Sequence, residues 1–211
     1  MKKLFALIAA MTLTASAFAQ KTFVSGSGYE IPANEVSLSV GVLSYPHMVM
    51  GFGGILASAF TAGNAEIDAC NTVGAYSFEY MRYVHPHVAV GGIVTYEACR
   101  LKMVNKDGTP QDSHWQHFMS AIPAVKFPWF SKEHVSMYSK AALGLMADVN
   151  EAYSTTDSNG EVEETPSCLN ISLGFQVTPV GIDFGGRSFR GFVETGFGVS
   201  GLVLGGLRYC F

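Results

Sequence analysis

Charge is what this sequence has least of. Asp, Glu, Lys and Arg make up 14% of the 211 residues, against a norm of roughly 25%. The formal net charge is −4, so there is no basic face for a phosphate backbone, and nucleic acid is excluded as a partner. Disordered chains are rich in charge and poor in aromatics; this one is 12% aromatic and 48% hydrophobic. Its 23 glycines follow no three-residue period, which excludes collagen. Long apolar runs are missing as well. The longest beyond the N-terminus, Met48 to Ala62, is interrupted by Gly51, Gly53, Gly54 and Ser58, so no segment supplies the ~20 apolar residues of a spanning helix. Zinc-type cysteine spacing, a metal-spaced histidine pair and a Gly-x-Ser-x-Gly elbow are absent too. The sequence thus points to no cofactor, no metal and no catalytic residue.

The N-terminus supplies an address. Lys2 and Lys3 precede an apolar stretch from Leu4 to Met11, and Ala17-Phe18-Ala19 has the small-x-small form that signal peptidase cuts. Residues 1–19 are expected to be a cleaved bacterial-type secretory signal, with Gln20 as the first mature residue. Gln rather than Cys at that place gives no lipoprotein anchor. Loss of Lys2 and Lys3 takes the formal charge from −4 to −6.

What the mature chain does have is alternation. Val36, Leu38, Val40 and Val42 alternate with Glu35, Ser37, Ser39 and Gly41; Leu169, Ile171, Leu173, Phe175 and Val177 alternate with Cys168, Asn170, Ser172, Gly174 and Gln176. A period of two places the rows on opposite faces of a strand. Tyr76, Phe78 and Tyr80 against Ser77 and Glu79 form another such segment. Val90, Val94 and Tyr96 against Gly91, Thr95 and Glu97 form a fourth, with Ile93 on the wrong row. Further segments run from Gln116 to Phe127, Val135 to Leu145, Phe189 to Gly198 and Gly201 to Phe211. The count is eight strands, most long enough for the ~9–11 residues of a tilted membrane strand.

The connections alternate in length. Residues 43–70, Asn105 to Ser113 and Asn150 to Thr165 read as longer loops, His85-Pro86 and Trp129 to Glu133 as short turns, and the turn near Val199-Ser200 is short on the long-loop side. Long and short ends are what a membrane barrel shows. The small rows carry Glu35, Glu79, Glu97, Lys126, Lys140, Glu194 and Arg208. Eight strands enclose room for a single filling of side chains. The large apolar row therefore belongs outside against lipid, and the small and charged row inside. The expected fold is all-β, an eight-stranded antiparallel up-and-down transmembrane barrel over residues 35–211, after a periplasmic segment at 20–34. Tyr83, Phe127, Trp129, Phe130, Tyr209 and Phe211 fall at the periplasmic ends, where a girdle of rings is expected.

These segments resemble the small outer-membrane β-barrel proteins, OmpA/OmpX-like in the broad sense, and more closely the outer-membrane β-barrel family of the Bacteroides-type Gram-negatives. The likeness is carried by Glu35-Val36-Ser37-Leu38-Ser39, Gly74-Ala75-Tyr76-Ser77-Phe78-Glu79-Tyr80, Pro179 to Gly185, and the tail Gly206-Leu207-Arg208-Tyr209-Cys210-Phe211. The tail is similar to the C-terminal signal of such barrels, with Gly206, Tyr209 and Phe211 matching and Leu204 departing from the usual polar residue. The resemblance implies insertion by the outer-membrane assembly machinery and a setting among outer-membrane lipid and lipopolysaccharide in a Gram-negative envelope.

Three places could carry function. The nearly balanced interior charges suit a plug that closes the lumen, with a small channel as the alternative, since an unpaired charge in a narrow interior is costly. Asp112, Ser113, His114 and His117 near one rim leave a lipid-modifying hydrolase conceivable, while His85-Pro86-His87 reads as a turn. Glu151, Asp157, Glu161, Glu163 and Glu164 give an acidic outer loop that reads first as a solvated face and could also collect divalent cations or engage a basic, unidentified protein partner. The apolar segment Met48 to Ala62 admits an interfacial helix, a cap over the mouth, or a partner contact. Of Cys70, Cys99, Cys168 and Cys210, alternation turns Cys99 inward, and a Cys70–Cys99 bridge is considered. The function expected is a structural or surface-binding barrel rather than an enzyme.

Overall fold

The computed structural model describes residues 23–24, 28, 30–51, 65–72, 74–105, 110–151, 153–156 and 162–211, with backbone alone for 65–72, 101–105, 110–114, 153–156 and 162–165. Eight strands close on themselves: β3 (Asn34–Val42), β5 (Ala75–His85), β6 (Val88–Asn105), β7 (Pro110–Ser131), β8 (Val135–Asn150), β11 (Cys168–Gly185), β12 (Phe189–Gly198) and β13 (Val203–Cys210). Each pairs antiparallel with its neighbours in the order β6-β5-β3-β13-β12-β11-β8-β7, and β6 pairs with β7 to complete the ring. The seam between chain ends is tied by reciprocal bonds of 2.9 Å between the backbones of Asn34 and Phe211. Through the body of the wall each strand is paired on both sides, the condition for a sheet in a solvent that offers no hydrogen bonds; the outer part of β11, before Gln176, pairs with β8 alone.

The remaining pieces sit at the two ends. β1 (Phe23–Val24) pairs with β2 (Glu30–Ile31) ahead of the barrel. β4 (Ala65–Thr72) pairs with the upper part of β6. β9 (Tyr153–Thr156) and β10 (Val162–Thr165) make a hairpin between β8 and β11. Residues 45–51 form one short helix.

Three expectations about loops are corrected here. The span 43–70 is not one loop: it opens with the helix and closes with β4, which continues β5 upward beyond a break at Gly74, whose φ of 79° is open to glycine without strain. The β4–β6 ladder runs from Ala65 opposite Asn105 to Thr72 opposite Cys99, with a register shift between Ile67 and Ala69. The expected loop from Asn105 to Ser113 is strand at both ends, because β6 extends to Asn105 and β7 begins at Pro110; residues 106–109 lie outside the described residues. Part of the expected loop 150–165 is the β9–β10 hairpin.

The barrel has inverted polarity. Leu143, Ile171 and Leu207 are 59%, 68% and 70% exposed, whereas Lys126 and Arg208 are 1% exposed and Glu194 0%. The exposed row runs round the whole wall through Leu38, Val94, Leu145, Leu173 and Val193. A water-soluble barrel has the opposite arrangement. Above the charged interior lies an apolar layer of Ile93, Phe118, Ile122, Met146 and Val199; Met81 of the same cluster lies among the charges, opposite Glu35. Ile93, on the wrong row for lipid, thus finds its place inside.

The rim is uneven. β7 has 22 residues and β13 has 8. The β12–β13 turn is short, with Gly198 and Gly201 at φ of 148° and 114°, backbone conformations that a side chain would strain. Over this low side the helix folds inward. Tyr45 and Met50 pack on the apolar layer, and the Tyr45 ring lies 5.6 Å from that of Phe175. Of the readings for the apolar segment, the described part, up to Gly51, is a cap over the mouth; residues 52–62 lie outside the described residues.

Candidate functional site

The interior is built by the strand period. Inward positions recur every second residue, so each strand contributes one or two charges at a set height. β3 brings Glu35, β5 Glu79, β7 Lys126, β8 Lys140, β12 Glu194 and β13 Arg208; all six are buried and joined in one network. Lys126 Nζ donates to Glu35 Oε1 at 2.7 Å and lies 3.5 Å from Asp183 Oδ2. Lys140 Nζ donates to Glu79 Oε2 and, at 2.8 Å, to Glu194 Oε1. Arg208 is the hub. Its guanidinium donates to Asp183, to Glu79 Oε1 at 3.3 Å and to Tyr138 Oη at 3.2 Å, and it lies 3.6 Å from Glu194 and 3.7 Å from Glu35.

Three members of the site were not singled out from sequence as part of it. Asp183 enters because β11 carries a bulge between Val177 and Val180. One extra residue reverses which parity faces inward, so Gly181 and Asp183 turn to the lumen although Gln176 and Thr178 do so on the outer side of the bulge. Arg190 occupies the same inward row of β12 as Glu194. It donates to Ser136 Oγ at 3.1 Å, and Ser136 donates in turn to Asp183 Oδ2 at 3.1 Å. Tyr138 crosses the lumen, donates to Glu194 Oε1 at 2.7 Å, and sets its ring 3.9 Å from Lys126 Nζ and 5.0 Å from the Arg208 guanidinium. Gly181 makes room for that ring, since a Cβ there would lie 2.5 Å from Tyr138 Cε2.

Four carboxylates (Glu35, Glu79, Asp183, Glu194) thus meet four cations (Lys126, Lys140, Arg190, Arg208), all buried. Thr178 Oγ1 donates to Glu194 Oε2 at 3.1 Å, using another carboxylate lone pair. Buried ions are tolerable where they are paired and hydrogen-bonded; Arg208 Nε makes no hydrogen bond and has only the Glu35 carboxylate, 3.7 Å away. A layer of hydroxyls and an amide lies next: Ser77 and Thr95 at 3.3 Å, Thr95 and Ser200 at 3.5 Å, and Gln176 accepting from the Ser200 N–H at 2.9 Å.

Glu97, expected among the interior charges, is buried but belongs to a separate group at the outer end. Its Oε2 accepts from Ser44 Oγ, and it shares its surroundings with His47 and Cys99, the ligand atoms of all three lying within 4.8 Å of one another. Sequence spacing could not show this group, because His47 is carried in by the cap.

The other sequence candidates are dispersed. His117 lies on the outward side, its Nδ1 3.0 Å from Tyr96 Oη and its ring stacked on Trp115; for Asp112, Ser113 and His114 the backbone alone is described. Glu151 is exposed, 3.5 Å from His117 Nε2. Glu163 and Glu164 pair in backbone register with Thr155 and Ser154, and Asp157 and Glu161 lie outside the described residues. Phe127, Trp129, Phe130 and Tyr209 are exposed at one end, and Tyr209 stacks on Phe211 at 5.6 Å. Tyr83 departs from the expected girdle. It shares the inward row of Glu79 and Met81, and its hydroxyl lies 3.4 Å from Glu35 Oε2. Gly206 lies opposite Ser39 and Phe192 in the ladder. The register sets Cys99 opposite Thr72 and Cys70 opposite Leu101, and Cys99 is a thiol rather than half of a disulfide; the considered bridge is not formed.

No family model matches the sequence, and no curated protein matches it. Among solved structures the chain is similar to Ail, the attachment invasion locus protein of Yersinia pestis, with a TM-score of 0.39 and 13% identity over 85% of this chain and 97% of that one.

Proposed function

We propose that this chain is an integral outer-membrane protein of a Gram-negative envelope, of the small OmpA/OmpX-like or Bacteroides type, with a lumen closed by ions. Its role is structural or surface-binding, exercised through the outer loops. The observation that carries the reading is the polarity of the wall: exposed Leu, Ile, Val and Phe on every strand around a neutralised set of buried Glu, Asp, Lys and Arg. In water that exposed surface would be a continuous apolar patch far beyond what monomers show; against acyl chains it is the favourable face. On this reading residues 1–19 direct export, Gly206, Tyr209 and Phe211 address the assembly machinery, and lipid and lipopolysaccharide surround the wall.

The closed lumen favours a plug over a channel. Arg208, Tyr138 and Lys140 reach across the interior to acids from β5, β11 and β12, and the apolar layer and cap lie above them. No enzymatic role is assigned: His117 is engaged by Tyr96 and Trp115, which suits a ring at the outer rim better than a base.

The test is the full chain expressed in a Gram-negative host. It should fractionate with the outer membrane, require detergent, migrate faster before heating than after, and pass no long-lived porin-sized current in planar bilayers. Solubility without detergent would remove the membrane reading, while large steady conductance would remove only the plug.

A further inference from the structure

The cap is held to the wall by a group of residues that the ion network does not use. β6 places Glu97 and Cys99 two residues apart, hence on the same inward face, and both are at least 98% buried. Ser44, at the end of β3, turns the chain into the helix. Its Oγ accepts from the His47 N–H at 3.2 Å, its carbonyl accepts from the Met48 N–H at 2.9 Å, and its hydroxyl donates to Glu97 Oε2. That capping turn brings His47 to the two wall residues. One imidazole nitrogen, one thiol sulfur and one carboxylate oxygen then lie within 4.8 Å of one another, with Cys99 Sγ 4.0 Å from Glu97 Oε1.

We infer that His47, Glu97 and Cys99 form a binding site for a borderline divalent transition metal ion, Zn²⁺ foremost, that fastens the cap to β6. Three donors of N, O and S type are the set that Zn²⁺ takes in tetrahedral sites, whereas Ca²⁺ and Mg²⁺ ask for oxygen alone. Bond lengths of about 2.0–2.3 Å around one ion need only a small contraction of the donors. A second observation points to a ligand. Glu97 borders a cavity of about 10 Å³ that is also lined by Pro46, Thr95, Phe118, Ser120 and Met146, and Ser120 Oγ, buried there, has no hydrogen-bond partner. The space is about that of one water and, of the three donors, Glu97 alone lines it, so it suits a water held on the Glu97 side of the metal. On binding, the Cys99 thiol gives its proton to solvent, and the thiolate and the Glu97 carboxylate offset the two charges of the ion. Ser44 is a positioning residue, orienting both His47 and Glu97.

The experiment uses the full barrel refolded in detergent, stripped with a chelator and titrated with Co²⁺ and then Zn²⁺. One Co²⁺ per chain should bind with a thiolate-to-cobalt charge-transfer band, which Zn²⁺ then removes. His47→Gln and Cys99→Ser should abolish the band. Ser44→Ala should weaken binding by the roughly 10–100-fold expected of a lost supporting partner, and a His134→Gln control should leave it unchanged. Folding of each variant is checked by its faster migration before heating. Absence of the band in folded wild-type protein, or its persistence in folded Cys99→Ser, overturns the site, whatever the outcome for membrane location or conductance. The wild-type spectrum decides the matter even where a variant fails to fold.

Discussion

Lys126 and Lys140 stand directly opposite one another on β7 and β8, yet their ammonium groups serve different acids: Lys126 donates to Glu35, and Lys140 to Glu79 and Glu194. Two like charges on a cross-strand pair are unfavourable by themselves. Here each is turned across the lumen to carboxylates from other strands, so the pair becomes a brace that draws β7 and β8 toward β3, β5 and β12.

Removing one arm of that brace should be costly. Lys140→Met leaves Glu79 and Glu194 sharing Arg208, and breaking a buried ion pair from one side costs about 3–5 kcal/mol. The urea midpoint of the refolded barrel, followed by gel mobility, should fall accordingly. A midpoint within error of wild type would show that Lys140 is not a structural member of the network.

Gly181 and Tyr138 should behave as a coupled pair. Gly181→Ala presses a methyl group into the ring and is expected to cost about 1–3 kcal/mol, as overpacking does. Added to Tyr138→Leu, which removes the obstructing ring, the same change should cost less than it does alone. Additive losses in this double-mutant cycle would mean that the close approach is not the reason for glycine.

The outward row yields a prediction that depends on depth. Leu143 and Leu169 are similarly exposed, but Leu143 lies mid-strand in β8 and Leu169 near the outer end of β11. Leu143→Arg should cost about 2–4 kcal/mol in lipid, and Leu169→Arg about 0–1. Equal, small costs for both would argue that no hydrocarbon surrounds the barrel.

The thiols report on burial. Cys168 is exposed, whereas Cys99 and Cys210 are buried. In the folded barrel a bulky maleimide should modify Cys168 rapidly, and should reach Cys99 and Cys210 only after heating in detergent. Mass mapping of the labelled peptides distinguishes the three.

Much of this architecture was legible because a barrel wall repeats every two residues. Glu35, Glu79, Lys126, Lys140, Glu194 and Arg208 all lie on small rows of the sequence, and all six face inward. The same rule, carried four residues beyond Glu79 along β5, places Tyr83 with Glu79 and Met81 inside rather than in the girdle. Arg190, four residues before Glu194, was readable in the same way. Asp183 was not read, because the bulge after Val177 reverses parity, although Pro179 inside it is the residue type that marks such a break. The grouping of His47 with Glu97 and Cys99 was half visible, since Glu97 and Cys99 share a face by spacing. The third member depends on how a capping turn at Ser44 folds over the mouth, which is a matter of tertiary packing rather than of period.

The uneven rim has its own consequence. At about 3.3 Å per residue, the 22 residues of β7 extend roughly 70 Å, about twice what a tilted membrane strand needs, while β13 is no longer than the bilayer demands. The tall strands therefore stand as a parapet on one flank, with the opposite flank cut down to the lipid headgroups. A partner reaching the outer loops would meet a stepped surface, high over β7 and low over β13, rather than a level rim.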